Sequence, residues 1–302
     1  MTMSRPSTQN SPEQAFEELF DRHNGLLTLR GSLVELRRRL DALFREWATV
    51  VHAEEYAFPP LMSVPALASA DYFSAFPHLA VLASRIEPTD EGIARFVETT
   101  KDKSIEEIGK ENLAPARFVF PSAACYAVYH HFHGARLDGD RCVTLMSPCF
   151  RHETSYTAGQ RQWSFQMREI VCVGSEESAQ KFLETYRQFL TGKLQEAGLS
   201  FTLAEATDPF FDKRDPRRLL QRLEPLKHEF LFDNRLAIAS VNYHRKFFGE
   251  RFNLREPSGE PAHSACVAFG LERWLYACLR QFGSDWEAWP SCLKPASLSQ
   301  SP

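Results

Sequence analysis

The apolar positions of this chain change period several times along its length, and each change marks an element. From Pro12 to about Ala53, Phe16, Leu19, Phe20, Leu26, Leu33, Leu36, Leu40, Leu43 and Phe44 recur at helical spacing and predict one or two helices. Prolines and aromatics at Phe58-Pro59-Pro60 and Phe76-Pro77-His78 interrupt any regular helix, so loops and short strands are expected up to Phe118-Val119-Phe120. From Arg141 the pattern turns β-like. Residues 142–151 and 163–173 read as an antiparallel hairpin around the polar stretch 154–160.

Ser175 then caps a helix with Glu176 and Glu177 in its first turn, a stripe of Phe182, Tyr186, Phe189, Leu190 and Leu194, and a stop at Gly198. Strands follow at 201–206, 227–232 and 236–243, with a short helix opened by Asp215-Pro216 between the first two. The last strong element begins as a strand at Ser264 and turns into a helix near Gly270. These elements are read as one α+β domain. The expected organisation is a disordered tail over 1–11, a helical segment over 12–55, a main domain over 56–290 and a tail over 291–302.

Composition narrows the options. At 302 residues, 43% of them apolar, the chain supports a substantial core, and 35 basic against 39 acidic side chains leave a charge of −4 with no global pull toward a polyanion or a lipid surface. No apolar run approaches the roughly 20 residues of a membrane span, and Met1–Pro12 lacks the apolar stretch of a signal peptide, so the expected location is the cytoplasm. Seven cysteines at irregular spacing read as reduced thiols.

Neither GxGxxG nor GxxxxGK[ST] occurs, so a bound nucleotide must be gripped by side chains. Arg151 and Glu153, two apart on one strand, face the same way; on the return strand Phe165 offers a ring for a base. By spacing alone these are an ordinary cross-strand ion pair and a core Phe.

The combination carries more. Phe150-Arg151-His152-Glu153, a loop with Arg161, then Phe165-Gln166-Met167-Arg168-Glu169 resembles the second signature of class II aminoacyl-tRNA synthetases, and Gly270-Leu271-Glu272-Arg273 resembles the third. More narrowly, the chain is similar to the amino acid:[carrier protein] ligases, relatives of the methanogen-type seryl-tRNA synthetases. The resemblance implies a central antiparallel sheet flanked by helices and a homodimer, with its interface sought between about Tyr56 and Val81. It implies that Arg151 grips the α-phosphate, Glu153 reads adenine, Phe165 stacks on it and Arg273 holds the γ-phosphate, with Arg161, Ala239 and Ser240 also beside ATP and Asn242 beside the substrate.

Those enzymes hold zinc through two Cys and one Glu, and Cys125, Glu169 and Cys266 stand in the matching places; without the resemblance they are dispersed packing residues. Three protein ligands leave a fourth position for a substrate amine. Phe165 and Glu169 lie four residues apart on one strand face, about 13 Å, a span suited to an aminoacyl-adenylate. The chain departs from the pattern at Ala268-Phe269, where a Gly-rich run is usual, and in 237–242, which lacks the usual acid for Mg2+; Glu229 or Asp233 is the substitute.

The function implied is ATP-dependent activation of a small amino acid, glycine or alanine, and its transfer to the phosphopantetheine thiol of an acyl carrier protein. Arg217, Arg218 and Arg222 form the most basic short segment and are expected to meet that acidic partner. Neither a long helical arm nor a basic extra domain for tRNA is visible. Two alternatives stay open: a true aminoacyl-tRNA synthetase, and an inert synthetase-derived binding protein.

Overall fold

A computed structural model of the protein describes residues 12–101, 104–217 and 224–296. The expected tail over 1–11, and Arg218 and Arg222 of the basic segment, lie outside the described residues.

The chain opens with helix α1 (Pro12–Glu17), a short hairpin β1 (Phe20–Asp21) and β2 (Leu26–Leu27), and helix α2 (Ser32–Trp47). The helical stripe expected across this region therefore stops and restarts. Leu26 lies in the hairpin and is exposed, whereas Leu33, Leu36, Leu40, Leu43 and Phe44 form the buried face of α2. Strand β3 (Glu54–Tyr56) leads to β4 (Met62–Ser63), α3 (Val64–Ser69), α4 (Tyr72–Ala75) and β5 (Val81–Ala83). Helix α5 (Asp90–Thr100), β6 (Phe118–Phe120) and α6 (Tyr126–His131) follow. The central hairpin is β7 (Arg141–Phe150) and β8 (Ser164–Gly174), followed by α7 (Glu176–Ala197), β9 (Thr202–Glu205), β10 (Lys227–Phe232), β11 (Leu236–Arg245), α8 (Phe247–Arg251), β12 (His263–Gly270) and α9 (Leu271–Phe282).

The boundaries of α7 are set as the sequence predicts. The Ser175 hydroxyl accepts from the Ser178 N–H at 3.1 Å, and Gly198 closes the helix at φ 65°, a left-handed conformation that glycine adopts without strain.

Seven strands form the main sheet in the order β3-β7-β8-β12-β11-β10-β9. Six of them run antiparallel to their neighbours, as expected, but β3 pairs parallel with β7, so the sheet is mixed at one edge. A second sheet, β4-β6-β5, stands apart. One face of the main sheet packs under α2, α7 and α9, with Phe44 stacked on Phe269 at 4.5 Å and against Trp274 at 5.0 Å. The other face carries Val171, Cys266, Tyr129, Phe248 and Phe252. Trp289 and Leu293 are buried in this first core, so the described residues beyond α9, up to 296, pack on the domain.

Candidate active site

Strand alternation and register build the site. Along β8, Phe165, Met167 and Glu169 share one face; Cys266, Ala268 and Gly270 do so on β12, and Ser240 and Asn242 on β11. Register then lines them up in rows: Glu169 beside Ala268, Ser240 and Glu229, and Cys266 beside Asn242 and Lys227. The result is a cleft with two connected parts.

The first part is lined by Arg151, Glu153, Arg161, Phe165, Ala239, Ser240 and Arg273, seven residues the sequence assigned to ATP. Arg151 donates from Nε and Nη2 to the Ser122 carbonyl at 3.1 and 3.0 Å, and its guanidinium lies 5.0 Å from the centre of the Phe165 ring. Arg161 and Glu153 approach to 3.7 Å. Arg273 is anchored from below, donating to the carbonyls of Gln160 at 2.7 Å and Ala237 at 3.0 Å. Burial, and then the neighbouring Arg151 cation, pulls its guanidinium down to about 10, which leaves it charged at neutral pH. A concave surface with three converging guanidiniums and a ring is chemically fit for a nucleoside triphosphate.

The second part is a larger cavity of about 430 Å³, lined among others by Cys125, Glu169, Asn242 and Cys266. Among the described residues, Cys125, Glu169 and Cys266 form the cluster of His, Cys, Asp and Glu donors whose ligand atoms all lie within 4.8 Å of one another. Glu169 is 1% exposed; its Oε1 accepts from the Ala124 N–H at 2.7 Å, while its buried Oε2 has no hydrogen-bond partner among the described residues. Burial, then the charge of Cys266, pushes the Glu169 carboxyl up to about 8. The neighbouring thiols shift one another: Cys266 raises Cys125, with burial adding to it, and Cys125 lowers Cys266. His244 Nε2, 3.8 Å from the Cys266 sulfur, and the Asn242 amide, 3.3 Å from it, stabilise the thiolate further. Two thiols and a carboxylate with an orphaned buried oxygen are the donor set of a zinc site, so the residues present fit that ion.

Sequence reasoning missed several lining residues. Lys227 lines the nucleotide part from β10, and Gln160, Gln162, Met167 and Glu272 line it too. The signal for Lys227 was available: it stands two residues before Glu229 on a strand, the spacing that singled out Arg151 and Glu153. Of the two acids suggested for a magnesium ion, Glu229 faces the cleft, whereas Asp233 sits in the β10–β11 turn and pairs with Arg280 at 3.6 Å. Arg217, expected on a partner-facing surface, is held by Asp215 through bonds of 3.0 and 2.6 Å and lies 3.6 Å from Asp71, at the rim of the larger cavity.

No protein-family model matches the chain. It is 33% identical over 271 residues to amino acid–[acyl-carrier-protein] ligase 1 of Bradyrhizobium diazoefficiens, covering 86% of this chain and 80% of the relative. Ligase 2 of the same organism is 32% identical over 255 residues, covering 80% of this chain and 74% of the relative. The type-2 serine–tRNA ligase of Methanococcus aeolicus is 24% identical and covers 86% of this chain but 53% of its own length. Among solved structures, the fold matches the seryl-tRNA synthetase of M. kandleri, crystallised with the tRNASec of A. aeolicus, with a TM-score of 0.79 at 20% identity; the match covers 97% of this chain and 62% of that one. The identity and coverage shared with the two ligases, together with the shared architecture, lead to one assignment: the chain belongs to the amino acid–[acyl-carrier-protein] ligase family, on a class II aminoacyl-tRNA synthetase fold.

Proposed function

We propose that this protein activates a small amino acid with ATP, releasing pyrophosphate, and passes the aminoacyl group from its adenylate to the phosphopantetheine thiol of an acyl carrier protein. The observation that carries this reading is the joining, in one cleft, of an arginine-lined pocket to a buried Cys-Glu-Cys cluster. Attack of the carboxylate on the α-phosphorus builds negative charge on the phosphoryl oxygens and on departing pyrophosphate. Arg151 and Arg273, fixed by backbone carbonyls, meet that charge with little reorganisation. Phe165 and Glu153 hold the adenine end, and Ala239 and Ser240 form the floor. Glu229 is the acid placed to hold a magnesium ion that arrives with ATP.

Cys125, Glu169 and Cys266 would hold zinc, which when bound supplies an open coordination position for a substrate amine and so favours α-amino acids over simple carboxylic acids. Asn242 donates to Cys266 and to Ser240 at 3.1 Å, which fixes its amide beside the amino-acid pocket. Glycine and alanine are the expected substrates.

The reading is tested by incubating purified protein with ATP, each small amino acid and phosphopantetheinylated carrier protein, and weighing the carrier intact. A mass gain of one aminoacyl group, reversed by hydroxylamine as a thioester must be, supports it. A second reading, tRNA charging, is favoured by the similarity to the type-2 serine–tRNA ligase, and the same protein assayed with tRNA as acceptor decides between them.

A further inference from the structure

The two parts of the cleft share five lining residues: Arg151, Met167, Lys227, Ser240 and Ala268. Under the proposed reaction, on which this inference rests, the nucleotide enters from one side of this waist and the amino acid from the other. The carboxylate oxygen and the α-phosphorus therefore meet at the waist. Two of the five shared side chains are charged, and both are cations. Arg151 already spends two of its donors on the Ser122 carbonyl.

Lys227 is arranged differently. Its ammonium has three hydrogens. One goes to Asp208 at 3.0 Å and one to Glu229 at 3.2 Å, and among the described residues the third has no partner. The side chain is 15% exposed and lines both parts of the cleft. The strand register explains its reach. Lys227 sits beside Asn242, which sits beside Cys266, so its backbone is two strands, about 10 Å, from the thiol cluster. That distance is shorter than the adenylate it would serve.

We infer that Lys227 is a catalytic cation, touching the reacting carboxylate and α-phosphoryl oxygens at the waist of the cleft, with Asp208 and Glu229 aiming it. An ammonium held by two acids and left one hydrogen short is preorganised to donate as charge develops on the transferring group, and such a contact strengthens from ground state to transition state. The step moves no proton to or from Lys227. The carboxylate oxygen bonds to phosphorus as the bond to pyrophosphate breaks, and the ammonium remains an ammonium throughout.

The test is amino-acid-dependent ATP–pyrophosphate exchange by Lys227→Gln, which keeps a donor for the two acids and removes the charge, and by Lys227→Arg, which restores charge in another shape. A catalytic cation predicts that kcat for exchange falls about 100-fold in the Gln variant. KM for ATP and for amino acid should stay within about threefold, and the Arg variant should recover at least tenfold of the loss. A merely structural lysine would move melting temperature and KM without that split. Exchange by Lys227→Gln within threefold of wild type, or an Arg variant no better than Gln, overturns the assignment. Absence of exchange in the wild type would instead overturn the ligase reading itself.

Discussion

Cys125, Glu169 and Cys266 show how burial turns ordinary side chains into candidate chemistry. A carboxyl pushed up to about 8, beside two sulfurs and with one oxygen unpartnered, is costly without a cation to share it. Metal binding must displace protons from these groups. Cys266→Ser or Glu169→Ala should therefore lower zinc, measured by elemental analysis of purified protein, from about one per chain to less than a tenth; full retention in either variant would remove the trio from consideration. Glu272 makes a separate case. Burial raises its carboxyl above the usual range despite the Gln166 N–H it accepts at 2.9 Å. A raised acid stabilises the fold fully only below its ordinary value of 4.5, and that contribution is lost as pH climbs through the raised value. The stability of wild type relative to Glu272→Gln, from urea melts, should fall as pH rises above 4.5; a pH-independent difference would contradict the shift. At this scale the sequence was partly legible. Arg151, Glu153, Phe165 and Arg273 stood in a recognisable order, but the row joining Cys266 to Asn242 and Lys227 depends on strand register. Without a turn of defined length, register cannot be counted from one chain.

Among the elements, α2 is tied to the sheet by an ionic clasp as well as by its apolar face. Arg168, 3% exposed, donates to both oxygens of Asp41 at 2.8 and 2.9 Å and to Glu55 on β3 at 2.9 Å. Removing one member leaves a buried guanidinium short of a partner, so Asp41→Ala should lose about 3 kcal/mol in chemical denaturation; a loss under half that would mean solvent compensates. One element was missed and one misread. β3 is Glu54-Glu55-Tyr56, without the alternation that announces a strand, and it is held at the edge by β7 and by Arg168. The hairpin ahead of α2 was concealed by apolar residues that continue at helical spacing, although Asn24-Gly25 is a turn signal. Gly25 is required there: φ is 67°, and a Cβ would fall 2.5 Å from the Tyr156 ring, while its carbonyl accepts from Trp163 N–H at 2.9 Å. The hairpin thus braces the loop between Glu153 and Phe165. By contrast, the capped α7 and the long strands β7, β8, β10, β11 and β12 follow from period and punctuation alone.

Over the whole molecule, the class of fold was readable because 150–169 and 270–273 resemble the signatures of a known fold; the parallel edge strand and the separate β4-β6-β5 sheet came only with tertiary structure. That small sheet presents Leu82 and Phe118, 55% and 50% exposed, to the outside, and α5 exposes Ile93 and Val97. Exposed apolar side chains of this size mark a surface to be covered. Leu82 lies just beyond the stretch, Tyr56 to Val81, in which the resemblance leads a homodimer interface to be sought, and Phe118 stands on the strand paired beside it. A Leu82→Asp, Phe118→Asp double variant should run as a monomer in light scattering where wild type runs as a dimer; an unchanged mass would exclude this sheet from the interface. No helix among the described residues is long and apolar enough to cross a membrane. On the proposed reading, arginines at one end of the cleft and the thiol-carboxylate cluster at the other act on one substrate pair. Amino-acid-dependent pyrophosphate exchange, measured before and after chelation and again after zinc is restored, tests it most directly. The expected result is exchange with a small amino acid that disappears on chelation and returns with zinc; exchange with no amino acid, or exchange that ignores the chelator, would overturn the proposed reading.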